Sequence, residues 1–330
     1  MQRNHFCIFH TASFVTKMVL LLTFSLCIVS SDVAIAYAGG EVQSQVQIPD
    51  TPQRIVVFPL FAEEMLLEMI EPGRIVYVGH EYWENGEAYS PTMDLTKHIR
   101  GNYLQYSTDE DILDLEPDLV VLWSGLSGDY EMFFPALKQA NIAVLFLDAP
   151  ETIEDIENTL LTLGETVGAK DMAAQMVLDI DAALAQITQI VASVPEEKRV
   201  RVTHFDYSDP ECYRPNNFYI IARAAGVINA SGSDTDYIEM NDELLVEWNP
   251  DLITVNPYYL DTDGSLYEIG DDYVEGSIVY LLNNPSLSCA TAIKNRNVHP
   301  LSLHKSQFIV QSVKDLAQLA YPHLFAGQDD

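Results

Sequence analysis

The stretch KDMAAQMVLDIDAALAQITQIVASV, from Lys170 to Val194, contains neither Pro nor Gly. Its apolar residues Met172, Met176, Ile180, Leu184, Ile187 and Val191 recur at spacings of three and four, while Asp179, Asp181, Gln186 and Gln189 fall between them. That periodicity predicts one unbroken amphipathic helix with a packed face and a wet face. At 1.5 Å per residue, about 25 residues give a rod roughly 37 Å long, more than one small domain needs to cross itself. The helix is therefore expected to be a strut between two bodies. An ordinary crossover helix inside one large domain is the alternative.

On both sides of the strut, short β-branched runs alternate with helical patterns, the signature of α/β structure. Upstream, Arg54-Ile55-Val56-Val57-Phe58 reads as a first strand, Ala62 to Ile70 as a helix, and Ile75 to Gly79 as a second strand. A short helix over Asp109 to Glu116 is stopped by Pro117, and Leu119 to Trp123 forms the next strand. Downstream the phrase returns: the helical NDELLVEWN (241–249), then Pro250-Asp251, then the strand Leu252-Ile253-Thr254-Val255. Two copies of "short helix, Pro-Asp, apolar strand", one on each side of the long helix, point to paired lobes. Pro-Asp also punctuates unrelated α/β proteins, so the repeat alone does not prove duplication. The expected organisation is a signal peptide (1–38), a leader (39–53), an N-terminal α/β lobe (54–168), a connecting helix (169–195) and a C-terminal α/β lobe (196–330).

Composition narrows the function classes. With 49 acidic against 17 basic residues the formal charge is −32, too few cations to neutralise a phosphate backbone, which argues against a nucleic-acid partner. A hydrophobic content of 48% with 10% aromatics is that of a folded chain rather than a disordered one. At the N-terminus, Arg3 and Lys17 precede the apolar run Met18 to Val29, and Ala34-Ile35-Ala36-Tyr37-Ala38 offers A-x-A cleavage sites. The reading is a secretory signal peptide and an extracytoplasmic mature protein without stable membrane insertion; a retained N-terminal anchor is the alternative. Leu26 before Cys27 is larger than the small residue a lipoprotein signal places there, which argues against lipidation. Cys212 and Cys289 remain after cleavage, and one disulfide or two separate thiols are equally compatible with that count.

Candidate binding residues cluster in loops that follow strand C-termini, where open α/β sheets bind ligands. In the first half these are His80, Tyr82 and Trp83 in the aromatic segment 80–106, with Phe58 and Phe61 after the first strand. In the second half the strand Arg199 to Phe205 leads into DYSDPECYRPNN (206–217), which carries Tyr207, Tyr213 and Arg214, and Tyr258 follows the Leu252 strand. Arg214 presents a planar fork suited to carboxylate, propionate or phosphate; a surface ion pair is its bland alternative. The tyrosines could ligate haem iron or merely stack. Trp248 is read as packing.

Several of these segments resemble, in order, the iron-complex and vitamin B12 substrate-binding proteins of ABC importers: RIVVFPLFAEEMLLEMI (54–70), DILDLEPDLVVLW (111–123), LKQANIAVLFLDAPETIEDI (137–156), the long helix, AAGVINA (224–230), VEWNPDLITV (246–255) and AIKNRNVHPLS (292–302). No single motif is specific; the ordered set is. The resemblance implies two Rossmann-like α/β lobes joined by a single long α-helix and a ligand in the cleft between them. Its expected cargo is a metal chelate (ferric siderophore, haem or cobalamin), and its expected partners are a membrane permease and its ATPase. It singles out Trp123, in Leu122-Trp123-Ser124-Gly125, as a cleft residue, with an aromatic packed at a strand end as the alternative. It also implies acids on each rim that dock to the permease: Glu131, beside Asp129, in about the matching place on the first lobe, and Glu268, ahead of Glu275, as the candidate on the second. The second lies in a loop longer than the family shows.

Competing chemistries leave little trace. His80, His98, His204, His299, His304 and His323 show no H-x-H or H-x-x-x-H spacing, and no C-x-x-C is present, so a bare zinc site is not expected. Asp261-Thr262-Asp263-Gly264 resembles the start of a calcium loop but lacks the later ligands. The G-x-S-x-G, Walker and dinucleotide fingerprints are missing, which argues against common hydrolases, nucleotidases and dehydrogenases. The expectation is a monomeric binding protein without catalytic residues or a cofactor of its own. A ligand sensor on the same fold and an enzyme using the cleft are the alternatives.

Overall fold

The computed structural model describes residues 48–79, 90–96, 99, 108–124, 137, 139–205, 218–232, 241–255, 259–260, 266–267 and 278–326, all within the compact unit Ala36–Asp330. The first lobe contains β1 (Ile55–Val57), α1 (Leu60–Met69), β2 (Ile75–Val78), α2 (Met93–Thr96), α3 (Asp109–Leu113), β3 (Leu119–Trp123) and β4 (Ala143–Leu147). Its strands pair in parallel in the order β2-β1-β3-β4. Both faces of this sheet are covered, which explains why its strands read as continuous apolar runs. Ile55, Val57, Leu119, Val121, Leu145 and Leu147 face one apolar cluster, while Val56, Val120, Leu122, Val144 and Phe146 face the other.

Two helices follow, α4 (Ile153–Val167) and α5 (Lys170–Val191). The first is capped by Thr152, whose Oγ1 accepts the Asp155 N–H at 3.0 Å, and it ends at Gly168 with φ +76°, a left-handed position that favours Gly. The second is the expected long helix, ending three residues earlier than periodicity predicts. Ile180, Leu184, Ile187 and Val191 are buried as expected, and Asp179, Asp181, Gln186 and Gln189 are exposed. Met172 departs from the pattern, being 49% exposed. The reason is the crossing with α4, where Gly164 and Ala173 meet so closely that a Cβ on Gly164 would lie 2.3 Å from that of Ala173. The buried position of the first turn goes to the small residue, and Met172 is turned outward.

The second lobe contains β5 (Arg201–Phe205), α6 (Phe218–Ala224), β6 (Ile228–Asn229), α7 (Asp242–Trp248), β7 (Leu252–Val255), a small antiparallel pair β8 (Tyr259–Leu260) and β9 (Leu266–Tyr267), α8 (Thr291–Lys294), β10 (Val298–Pro300), α9 (Ile309–Ala320) and α10 (Pro322–Phe325). Its main sheet is parallel in the order β6-β5-β7-β10. This is the strand order of the first lobe. Each sheet reverses its winding between its first and third strands, so each has one topological switch point. One apolar cluster contains residues of both lobes and of α5, from Ile55 through Ile180 and Val191 to Phe325.

The Pro-Asp repeat has a structural basis that involves a third residue. Asp118, ahead of β3, accepts the backbone N–H groups of Gln53 and Arg54 at 2.7 and 2.9 Å, and Arg54 Nε donates to the Leu115 carbonyl beyond α3 at 2.7 Å. Asp251, ahead of β7, accepts the Arg201 N–H at 3.0 Å, and Arg201 Nη2 donates to the Trp248 carbonyl at the end of α7 at 3.1 Å. Glu116 and Asn249 occupy matching left-handed turns, φ 46° and 43°. In each lobe one Arg and one Asp bind the start of the first strand to the start of the third and cap the helix between.

Candidate ligand-binding cleft

Parallel strands place their C-terminal ends together, and the loops that leave them form a ligand site at the switch point. In the first lobe β1 delivers Phe58 and β3 delivers Trp123. Phe58 is held by its N–H to the Val121 carbonyl at 3.1 Å. Its ring covers Gly79, where a Cβ would come within 1.9 Å of it, and it tilts against Tyr77 with centroids 5.7 Å apart. At 7% exposure, Phe58 packs the lobe and has little surface left for a ligand. Phe61, in the first turn of α1, is half-buried against the main cluster. Trp123 is different: it pairs in register with Leu147 of β4, yet its side chain is 46% exposed. A large aromatic left in water at a strand C-terminus is a surface available for stacking. Beside it, Ser124 Oγ donates to Asp148 Oδ1.

Besides the shared apolar cluster, polar contacts join the two lobes, several of them at α1. Glu63 and Glu64 are adjacent and both buried. Glu63 Oε1 accepts the Thr96 hydroxyl at 3.0 Å within its own lobe. Glu64 reaches the segment that leaves β10: its Oε2 accepts the Ser306 hydroxyl, its backbone carbonyl accepts Gln307 Nε2 at 2.9 Å, and its Oε1 lies 3.7 Å from His304 Nδ1. That Oε1 has no hydrogen-bond partner among the described residues. A second contact joins α6 to the loop after β4, where the Tyr219 hydroxyl donates to the Glu151 carbonyl. Lys305 lies between His304 and Ser306, the two residues that meet the Glu64 carboxylate. Burial pushes its ammonium pKa down, with the Glu151 carboxylate pulling it back up.

The second lobe places polar residues inside its sheet. Thr203, His204 and Thr254 are fully buried, with His204 Nδ1 3.0 Å from Thr254 Oγ1 and its ring stacked on Phe218 at 5.6 Å. These residues join β5 to β7 and to α6; His204 is a core histidine. Farther along the strand ends, burial lowers the His299 pKa, and its Nε2 lies 3.0 Å from Asn297 Oδ1.

Of the residues the sequence nominates, Phe58, Phe61 and Trp123 fall among those described. His80, Tyr82, Trp83, Tyr207, Tyr213, Arg214, Tyr258 and the docking candidates Glu131 and Glu268 lie outside the described residues, as does the Asp261–Gly264 turn. Cys289 is exposed and Cys212 also lies outside them. No group of three metal-ligating side chains occurs among the described residues. Sequence reasoning missed Glu64, Ser306, Lys305, Glu151 and Tyr219. One signal was present: two successive acids in LFAEEMLLEM, a helix otherwise dominated by apolar residues.

A family model described as periplasmic binding protein matches residues 55–301. The chain is 24% identical over 223 residues to an uncharacterised ABC transporter substrate-binding lipoprotein, YvrC, of Bacillus subtilis, and the match spans 66% of each protein. Among solved structures it is similar to the molybdate periplasmic binding protein MolA of Haemophilus influenzae, bound to molybdate (TM-score 0.65, 18% identity, 86% of this chain and 90% of that one). It is also similar to the periplasmic heme-binding protein RhuT of Roseiflexus sp. RS-1 (TM-score 0.62, 17% identity, 82% and 99%).

Proposed function

The chain belongs to the periplasmic binding protein family, and from that membership we propose that it is the extracytoplasmic solute-binding component of an ABC importer. It captures a metal-containing solute, a ferric siderophore, haem or cobalamin, between its lobes and delivers it to a membrane permease served by an ATPase. The observation that carries this reading is the exposed Trp123 at a strand C-terminus of one of two parallel-sheet lobes with the same strand order. An aromatic face suits the flat or apolar body of a chelate. The likeness to a molybdate binder and a haem binder supports a metal-containing cargo and leaves its identity to experiment. No described helix is long and apolar enough to cross a membrane, in keeping with a protein that meets its permease from outside the bilayer.

On this reading Trp123, Phe61, His80, Tyr82, Trp83, Tyr207, Tyr213, Arg214 and Tyr258 face the solute, Phe58 supports them from the core, and Glu131 and Glu268 meet basic residues of the permease. The protein works as a monomer. The test is to express residues 39–330 and titrate them with haemin, cyanocobalamin, hydroxamate, catecholate and citrate chelates of iron, and molybdate, following tryptophan fluorescence and co-purifying colour. Saturable binding of one class supports the proposal; no response to any of them overturns it.

A further inference from the structure

The segment from Ser302 to Phe308 is attached to the opposite lobe through His304, Ser306 and Gln307. His304 and Ser306 both meet the buried Glu64 carboxylate, Gln307 meets its backbone, and the His304 N–H is held by Ser312 Oγ at 3.3 Å. Lys305, between them, takes no part. Its electrostatic neighbour is Glu151, in the loop after the last strand of the first lobe. Segment 302–308 itself follows the C-terminal end of β10, an edge strand of the second sheet. Lys305 thus lies where the loops from the strand C-termini of both lobes come together.

Its chemistry there is unusual for this chain. Cations are scarce, 17 against 49 acids, and several are committed: Arg54 and Arg201 to helix-end carbonyls, Arg74 to the Pro52 and Val167 carbonyls, Lys170 to Glu165. Lys305 is partly buried and makes no hydrogen bond or ion pair among the described residues. Glu151, the carboxylate that acts on it, is exposed and therefore screened by water. An ammonium partly withdrawn from water without a fixed partner is less well stabilised than a fully solvated one, and an incoming anion offsets that loss. We infer that Lys305 is an anion-binding residue of the cleft, held in place by the Glu64–Ser306 attachment, and that it takes a carboxylate or oxyanion group of the solute. This inference rests on the solute-binding reading above and adds the charge class of the cargo.

The experiment compares anionic probes, haemin with its two carboxylates and molybdate, with neutral ones, ferrichrome and cyanocobalamin, on the wild type and on Lys305→Met, Lys305→Arg and Ser306→Ala. Lys305→Met is expected to weaken the anionic probe that binds by about tenfold or more, the scale of one charge-assisted contact. Lys305→Arg should retain most of that affinity. Ser306→Ala, which loosens the attachment and keeps the cation, should fall between them. Thermal melts show whether each variant is folded, and the Arg variant reports on the site should the Met variant fail to fold. Unchanged binding of the anionic probe by Lys305→Met, or equal loss for a neutral probe, overturns the inference while the solute-binding reading stands. So does a wild type that binds only neutral probes. A wild type that binds nothing overturns both.

Discussion

Asp251 accepts the backbone N–H of Arg201 at 3.0 Å and returns its own N–H to the Arg201 carbonyl at 2.7 Å, fixing the register between the first and third strands of the second lobe. Asp118 does the same for Arg54, with its own N–H to the Arg54 carbonyl at 3.0 Å. Removing either carboxylate leaves strand-start donors without their acceptor. Asp251→Ala and Asp118→Ala are each expected to destabilise by about 1–2 kcal/mol, measured by urea denaturation. The Asp118 bonds are exposed and the Asp251 bond is partly buried, so Asp251→Ala should cost more. Equal costs would show that water replaces the lost acceptor equally well at both sites, and the reverse order would show that exposure does not set the cost.

Gly164→Ala should be destabilising even though Ala is the better helix former by about 1 kcal/mol. The added methyl meets the Ala173 Cβ at 2.3 Å, and overpacking of this kind costs about 1–3 kcal/mol. Adding Ala173→Gly should recover part of the loss, a coupling that a double-mutant cycle reads directly. Simple additivity would mean that the two helices separate without cost.

Burial raises the Glu157 pKa, and the nearby Asp181 and Glu154 carboxylates raise it further. A carboxyl that holds its proton more tightly folded than unfolded contributes stability below the unfolded pKa, and that contribution is lost as pH rises through the raised folded value. Glu157→Gln should therefore melt higher than the wild type at pH 7–8, with the advantage shrinking toward pH 4. Melting temperatures across that range decide the matter. A difference that does not change with pH would assign the effect to packing.

The Tyr321 hydroxyl donates to the Gly226 carbonyl at 2.9 Å and accepts the Val200 N–H at 3.2 Å from a side chain only 3% exposed. Tyr321→Phe leaves both backbone groups without this partner and should cost about 1–3 kcal/mol. Solute affinity, set elsewhere, should not change.

Trp123→Ala should weaken whichever probe binds by about 1–3 kcal/mol and leave the melting temperature nearly unchanged, because the ring is already half in water. Loss of fold with unchanged affinity in the folded fraction would return Trp123 to a packing role.

Periodicity made the strands and the long helix legible because their burial pattern is local: alternate residues of β1, β3 and β4 face two clusters, and α5 buries one stripe. The repeat of Pro117-Asp118 and Pro250-Asp251 was visible as well. The two arginines that give it meaning were not, because each stands some fifty or more residues ahead of its partner. Phe58 and Trp123 look alike in sequence, aromatics at strand ends, and differ only because Gly79 opens a seat for the first ring. The Glu64–Ser306 attachment joins residues 242 apart, a distance over which composition and spacing carry no information. Met172 fits the helical stripe but loses its place to Ala173 through the close approach of a second helix.

The apolar cluster that holds residues from Ile55 to Phe325 does not end at the boundary of either lobe. Its continuity through α5 couples the two halves in denaturation: each lobe keeps a smaller apolar cluster of its own, but the largest is shared, and a chain cut within α5 should leave each fragment without much of its buried apolar packing. A damaged copy then fails as a whole. It cannot persist as a half-folded sink that competes with intact molecules for scarce cargo, and a melting curve should show one transition where two lobes would suggest two.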